Sequence, residues 1–109
     1  MTLAELLIDI KAQRAQFKDV LAFVEQHYTY TASAFQNGAQ HNGAHENQGS
    51  AKVLYLAQLN KLNAAETLYL FAEHYEAVLA NPTGTDHQNI RQFQQHGWDG
   101  VSFDTVVLR

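Results

Sequence analysis

GSAKVLYLAQLNKL, residues 49–62, sets Val53, Leu54, Leu56, Ala57 and Leu59 on every side of a helical wheel. A helix that is apolar all round has no face to offer water, so it belongs at the centre of its domain with other elements laid against it. Gly49 or Ser50 opens this helix and Leu62 closes it, which makes the fold class a helical core wrapped by the rest of the chain.

Upstream, Thr2 and Glu5 have the spacing of a capping box, and Leu3, Leu6, Leu7 and Ile10 recur at helical intervals, predicting a helix over 3–12. Phe17, Val20, Leu21, Val24 and Tyr28 continue the period. We expect two helices with a kink near Ala12 to Gln16; with no Pro or Gly between them, one helix from 3 to 28 is the alternative. Tyr28 to Thr31 is β-favouring and ends the helical run. QNGAQHNGAHENQGS, residues 36–50, has two Asn-Gly pairs and almost no apolar residue, and reads as a long loop.

Downstream, Asn63 and Glu66 make a second capping box, and Leu68, Phe71, Ala72, Tyr75 and Leu79 form the buried stripe of a fourth helix, with Tyr28, Tyr69 and Tyr75 in the core. Asn81-Pro82-Thr83-Gly84 has the residue order of a type I turn. A fifth helix follows from Thr85 or Asp86 and ends at Gly97 in a left-handed closure, with Trp98 packed back on Phe93. After an Asp99-Gly100 turn, Val101, Phe103, Thr105 and Val107 alternate as a short strand, a partner for Tyr28 to Thr31. The architecture is therefore α+β and mainly helical: four or five helices around the central one, with a small strand element at 98–107, in a single domain over residues 1–109.

Composition narrows the function classes. A chain of 109 residues and 12.3 kDa buries roughly two-thirds of its unfolded surface as one domain, and 46% apolar with 17% charged content is that of a folded protein. Seven Lys and Arg against eleven Asp and Glu give net charge −4, and the cations at 11, 14, 18, 52, 61, 91 and 109 are scattered, so no nucleic-acid partner is expected. The absence of cysteine excludes disulfide scaffolds, thiol catalysis and thiolate zinc sites, and fits a reducing cytoplasm. No apolar run approaches the ~18 residues of a membrane span, and the amphipathic start is not a signal peptide, so no membrane association is expected.

The polar residues worth testing cluster in TDHQNIRQF, residues 85–93. Thr85 or Asp86 is placed to cap the fifth helix, with Gln88 completing a third capping box. His87 and Arg91, four apart, share one flank, and Asn89 lies on the other beside the core. A histidine beside an arginine at a helix N-terminus is equipped to accept a proton or hold an anion. Two function classes follow. In the first, a binding module, the 36–50 loop and the 85–91 helix start form a polar cleft for a small anionic ligand or a protein partner. In the second, a small hydrolase or lyase, His87 is the acid/base, Arg91 holds an anionic group, and Asn37 or Asn47 orients it. His74 projects away from the main stripe of its helix and reads as a hydrogen-bonded interior residue. His41 and His45 have metal spacing only on a helix, which Asn42-Gly43 between them opposes, so no metal and no cofactor are expected. Neither a phosphate-cradling Walker pattern nor a Gly-x-Ser-x-Gly elbow is present. Trp98 is expected close to the 85–91 cluster.

Three runs, FKDVLAFVEQHYTYTASAFQNG (17–38), ENQGSAKVLYLAQLNKL (46–62) and AAETLYLFAEHYEAVLANPTGTDHQNIRQFQQHGWDGVSF (64–103), resemble the HopJ type III effector family of bacteria. The most specific pieces are Tyr28 to Thr31 with Phe35 to Gly38, Asn47 with Gly49-Ser50, the Pro82 to Arg91 run, and Gly97 to Gly100. The resemblance implies that Thr31, Asn37, Asn47, Ser50, His74, Asp86, His87, Asn89 and Arg91 belong to the family signature. Ala32 departs from it, standing where the family would have Pro, and His41 and His45 lie outside it. The family has no established biochemical activity. A capped helix from residue 2 leaves no polar leader for export, so a cytoplasmic protein is expected, with secretion by a type III system as the alternative.

Overall fold

In the computed structural model, which describes all 109 residues, the central stretch forms α3 (Gln48–Leu59), and Ala51, Val53, Leu54, Leu56 and Ala57 are wholly shielded from solvent. Leu59 departs from the expectation at 47% exposed, because the helix ends there and not at Leu62. Against α3 pack α2 (Phe17–His27) and α4 (Ala64–Tyr69). Helix α1 (Leu3–Lys11) starts with the reciprocal Thr2–Glu5 capping box, and the chain breaks before α2 at Gln13, in left-handed conformation at φ 62°. Residues 3–28 are thus two helices, broken where expected.

The single fourth helix expected over 63–79 is instead two, α4 and α5 (Glu73–Ala80), separated at Ala72 with φ 51° and ψ −123°. The expected capping box is half formed: Asn63 Oδ1 accepts from the Glu66 amide, but Glu66 returns no bond. The break falls where Leu68, Leu70, Phe71 and Ala72 all turn inward. Its consequence is that Leu79 and Tyr69 lie on the surface, at 55% and 41% exposed, and Tyr28 and Tyr75 are only half-buried. Such spacing satisfies a helical period whether the helix is continuous or broken, so periodicity alone does not reveal the turn.

The 36–50 segment is not loop throughout. Strands β1 (Phe35–Asn37) and β2 (Gln40–Asn42) form a hairpin about the two-residue turn Gly38-Ala39, with Gly38 at φ 58°. β3 (Val101–Phe103) pairs antiparallel with β1, setting Phe35 opposite Phe103 and Asn37 opposite Val101, in the order β2-β1-β3. The strand expected to run to Val107 stops at Phe103, and its partner is β1, not the Tyr28–Thr31 segment. That segment pairs instead with the C-terminal residues: Tyr30 bridges Leu108, and the Thr31 amide donates to the Val107 carbonyl. α6 (Gln88–His96) closes at Gly97, φ 57°, with Phe93 and Trp98 edge to face at 5.0 Å, and Gly97–Gly100 forms a 3-10 turn. The fold is the expected mainly helical α+β, with six α-helices and one small antiparallel sheet.

An alanine at φ 51° and ψ −123° occupies ground that glycine takes freely, at a strain of order 1–3 kcal/mol. In Ala72→Gly the relief of strain is expected to offset the lost burial of the Ala72 methyl and the entropy of a more flexible unfolded chain, leaving stability within about 1 kcal/mol of the parent. Urea unfolding measures it, and a loss of about 2 kcal/mol or more would show that Ala72 is not strained.

Candidate functional site

The site begins with four asparagines that join separate parts of the chain. Asn42, at the end of β2, accepts on its side-chain oxygen from Asn47 Nδ2 at 2.8 Å and from Asn89 Nδ2 at 3.0 Å. Its own amide nitrogen donates to Asn89 Oδ1 at 3.2 Å and to the Phe35 carbonyl at 3.3 Å. Asn37, on β1, donates to the Asn89 backbone carbonyl at 2.7 Å and to its Oδ1 at 3.1 Å. Asn37, Asn42 and Asn89 are buried. The hairpin is thereby tied to the residue preceding α3 and to the first turn of α6.

Both helices begin without a side-chain cap, each from a residue in left-handed conformation: Asn47 before α3 and His87 before α6, both at φ 51°. The capping expected of Thr85 or Asp86 does not form. Gln88 Nε2 donates to the Thr85 carbonyl at 2.7 Å, and the Asp86 carboxylate is taken by Arg91, whose terminal nitrogen lies 2.7 Å from Oδ1. Arg91 also donates through Nε to the Asp86 carbonyl at 2.5 Å and through its other terminal nitrogen to the Pro82 carbonyl at 3.3 Å. The 82–86 loop is folded under this guanidinium, with Gly84 packed so close that a Cβ there would come within 2.8 Å of it and nearer still to the Asn81 side-chain amide, so that one of the two would have to shift. Arg91 is therefore a clamp on the loop that ends in His87, and both side chains stand beside the Asp86 carboxylate, His87 Nε2 at 3.9 Å from Oδ2.

A cavity of about 420 Å³ opens where the starts of α3 and α6 meet α2 and α5. Among the expected residues, Asn47, Ser50, His74, His87 and Asn89 line it, joined by Phe17, Gly49, Phe71 and Gln88. His74 is not the hydrogen-bonded interior residue expected: its ring makes no hydrogen bond, meets the edge of Phe17 at 4.8 Å, and lies 5.1 Å from the ring of His87. The first main-chain bonds of the two helices are Ala51 to Asn47 and Ile90 to His87. The amides of Gly49, Ser50, Gln88 and Asn89 consequently have no partner in the protein, and such groups point out of a helix start. No Asp, Glu, Lys or Arg lines the cavity. Its polarity comes from helix ends, amides, a serine hydroxyl and two imidazoles, a set suited to hydrogen-bonding an anion without a fixed opposing charge.

Other candidates fall elsewhere. Thr31 is exposed and engaged through its main chain; Asn37 lies in the buried network and Asp86 with Arg91 in the clamp, and none of these lines the cavity. Trp98 donates from Nε1 to the Leu62 carbonyl, away from the cavity it was expected to adjoin. His41 bonds the Gln36 side chain, and neither it nor His45 reaches the cavity. Asn42 is a site residue outside those expected; the signal pointing to its hairpin is Gly38, a glycine at the first central position of a two-residue turn. Phe17 and Phe71 carried no signal beyond helical periodicity.

Fold and cavity define a small, mainly helical α+β domain with a polar cleft at converging helix starts. Residues 3–108 match the family described as HopJ type III effector protein, so the chain belongs to the HopJ family. It is also similar to a crystal structure described as that of "unknown function protein VPA0580", at 38% identity and TM-score 0.90, covering 100% of this chain and 93% of that one. No curated protein matches the chain. No helix is long and apolar enough to cross a membrane.

The Arg91 hydrogen bond holds the Asp86 carboxyl below its ordinary value of 3.8, with the charges of His87 and Arg91 adding to it and desolvation opposing. A depressed carboxyl stabilises the fold above its unfolded value and loses that contribution as pH falls through its folded value. Asp86 is expected to titrate below 3.8 by carbon-detected NMR and to return toward 3.8 in Arg91→Gln, with the stability gap between the two proteins narrowing in acid. An Asp86 carboxyl that ignores the Arg91 change would contradict the clamp.

Proposed function

We propose that this HopJ-family protein is a binding module whose cavity captures a small molecule through an anionic group, phosphate or carboxylate. One observation carries the reading: unpaired amides from the starts of two different helices, Gly49 and Ser50 on α3 and Gln88 and Asn89 on α6, share one cavity that no acidic side chain lines. A helix start favours an anion by about 0.3–1 kcal/mol, up to ~2 in partly buried geometry, and each added hydrogen bond contributes roughly 0.5–1.5 kcal/mol net. Together these support binding of a bare anion near 1 mM, about −4 kcal/mol. His74, His87 and the Ser50 hydroxyl add donors to the same space. The hydrolase or lyase reading draws less support: Arg91 is bound to Asp86, Asn37 is bound to Asn89, and Asn47, which does line the cavity with His87, donates its side-chain amide to Asn42. We place this binding in the cytoplasm, in keeping with a chain that has no cysteine; secretion-dependent appearance in the medium would contradict that placement.

Calorimetry with inorganic phosphate tests the proposal. Saturable binding at one site is expected, several-fold weaker in the double variant His74→Gln, His87→Gln, with no binding of tetramethylammonium. Phosphate that never saturates, or that binds the double variant as tightly, would overturn it.

A further inference from the structure

The anion-binding reading leaves the aromatic lining of the cavity unexplained. Along the cavity runs a wall of rings. Phe17 and Phe71 are near parallel, at 15° and 6.2 Å between centroids; Phe17 meets His74 edge-on at 4.8 Å; and His74 lies 5.1 Å from His87 at 36°. All four rings line the same cavity, though they come from α2, from the break between α4 and α5, from α5 itself, and from the residue preceding α6. Neither imidazole spends a nitrogen on a hydrogen bond within the protein; the Asp86 carboxylate oxygen Oδ2 stands 3.9 Å from His87 Nε2, beyond hydrogen-bond reach. Phe17 and His74 are only half-buried, so their outer surfaces are open to an occupant.

The rings also stand directly beside the amides. A Cβ added at Gly49 would lie 3.3 Å from Cε2 of Phe17, so the first turn of α3 rests against the Phe17 ring with only a hydrogen between them. An anionic group seated on the Gly49 and Ser50 amides would therefore have its attached carbon skeleton running along the ring wall. A volume of about 420 Å³ admits one ring system with its anionic group, at the small end of ligand pockets.

Resting on the anion reading of the same cavity, we infer that its ligand class is a flat, unsaturated or aromatic ring carrying a phosphate or carboxylate. The anionic group takes the helix-start amides and the ring packs against Phe17 and the two histidines. Ring contacts of this kind favour flat molecules over saturated ones of equal size, because π faces stack or meet edges at well-defined distances. They also tolerate differences in ring identity, since every flat ring has a π face.

The test is a calorimetric series on the full chain with inorganic phosphate, phenyl phosphate, cyclohexyl phosphate and benzyl alcohol. Phenyl phosphate is expected to bind at least tenfold more tightly than inorganic phosphate, about 1.4 kcal/mol, and several-fold more tightly than cyclohexyl phosphate. Equal affinity for phenyl and inorganic phosphate would overturn this inference and leave the anion reading standing. Cyclohexyl phosphate binding as well as phenyl phosphate would overturn the flat-ring requirement in the same way. Benzyl alcohol binding as tightly as phenyl phosphate would overturn the anion reading and leave the ring wall. No binding by any of the four would overturn both.

Discussion

One side chain, Asn42, holds the parts of this protein that matter for its cavity. Its oxygen accepts from Asn47 and Asn89 together, and its nitrogen donates to Asn89 and to the β1 backbone. Only a primary amide offers both capacities at that point: aspartate would lose the donors, leucine both. Because Asn37, Asn42 and Asn89 are buried, releasing one would leave its neighbours unpaired at roughly 1–3 kcal/mol each. The network therefore acts as a unit, fixing where α3 and α6 begin relative to each other. The uncapped amides of the two helices face one cavity because this joint holds them there.

A second constraint works from the far side of α6. Arg91 spends its guanidinium on Asp86 and the Pro82 carbonyl, inside the protein, and so sets the loop that ends in His87. The most conspicuous cation of the 85–91 run thus serves the placement of a histidine and not the capture of an anion. At Ala72 the chain accepts strain that ends α4 and starts α5, and the two ring residues flanking that break, Phe71 and His74, both reach the cavity. Strain, clamp and amide joint come from different parts of the sequence and converge on the same space, as expected where local rules yield to a site.

What was legible in the sequence follows from what periodicity and turn chemistry encode. The α3 run read correctly as central because Ala51, Val53, Leu54, Leu56 and Ala57 leave a narrow stripe of Lys52, Tyr55 and Leu59 outside the core, and Gly97 with Trp98 read correctly because a positive φ at a helix end has few residue choices. The break at Ala72 was not legible, since alanine is the strongest helix former and nothing local marks it as left-handed. The hairpin at 35–42 was hidden by its polarity: its inward residues include Asn37 and Asn42, which a pattern of apolar alternation does not count. In the site, His87, Asn89, His74, Asn47 and Ser50 were named from local motifs and family resemblance, and all line the cavity. Their true neighbours, Phe17 and Phe71, were not, because a ring on a helical stripe looks the same whether it faces core or cleft.

The most direct test of the joint is the amide spectrum of Asn42→Ala, a folded protein weakened by roughly 2 kcal/mol. With the joint removed, the amide resonances of Gly49 and Ser50 and those of Gln88 and Asn89 are expected to shift together, although they belong to two helices, while those of α1 stay in place. Changes confined to the hairpin, with both helix starts undisturbed, would show that the asparagine network does not hold the cavity together.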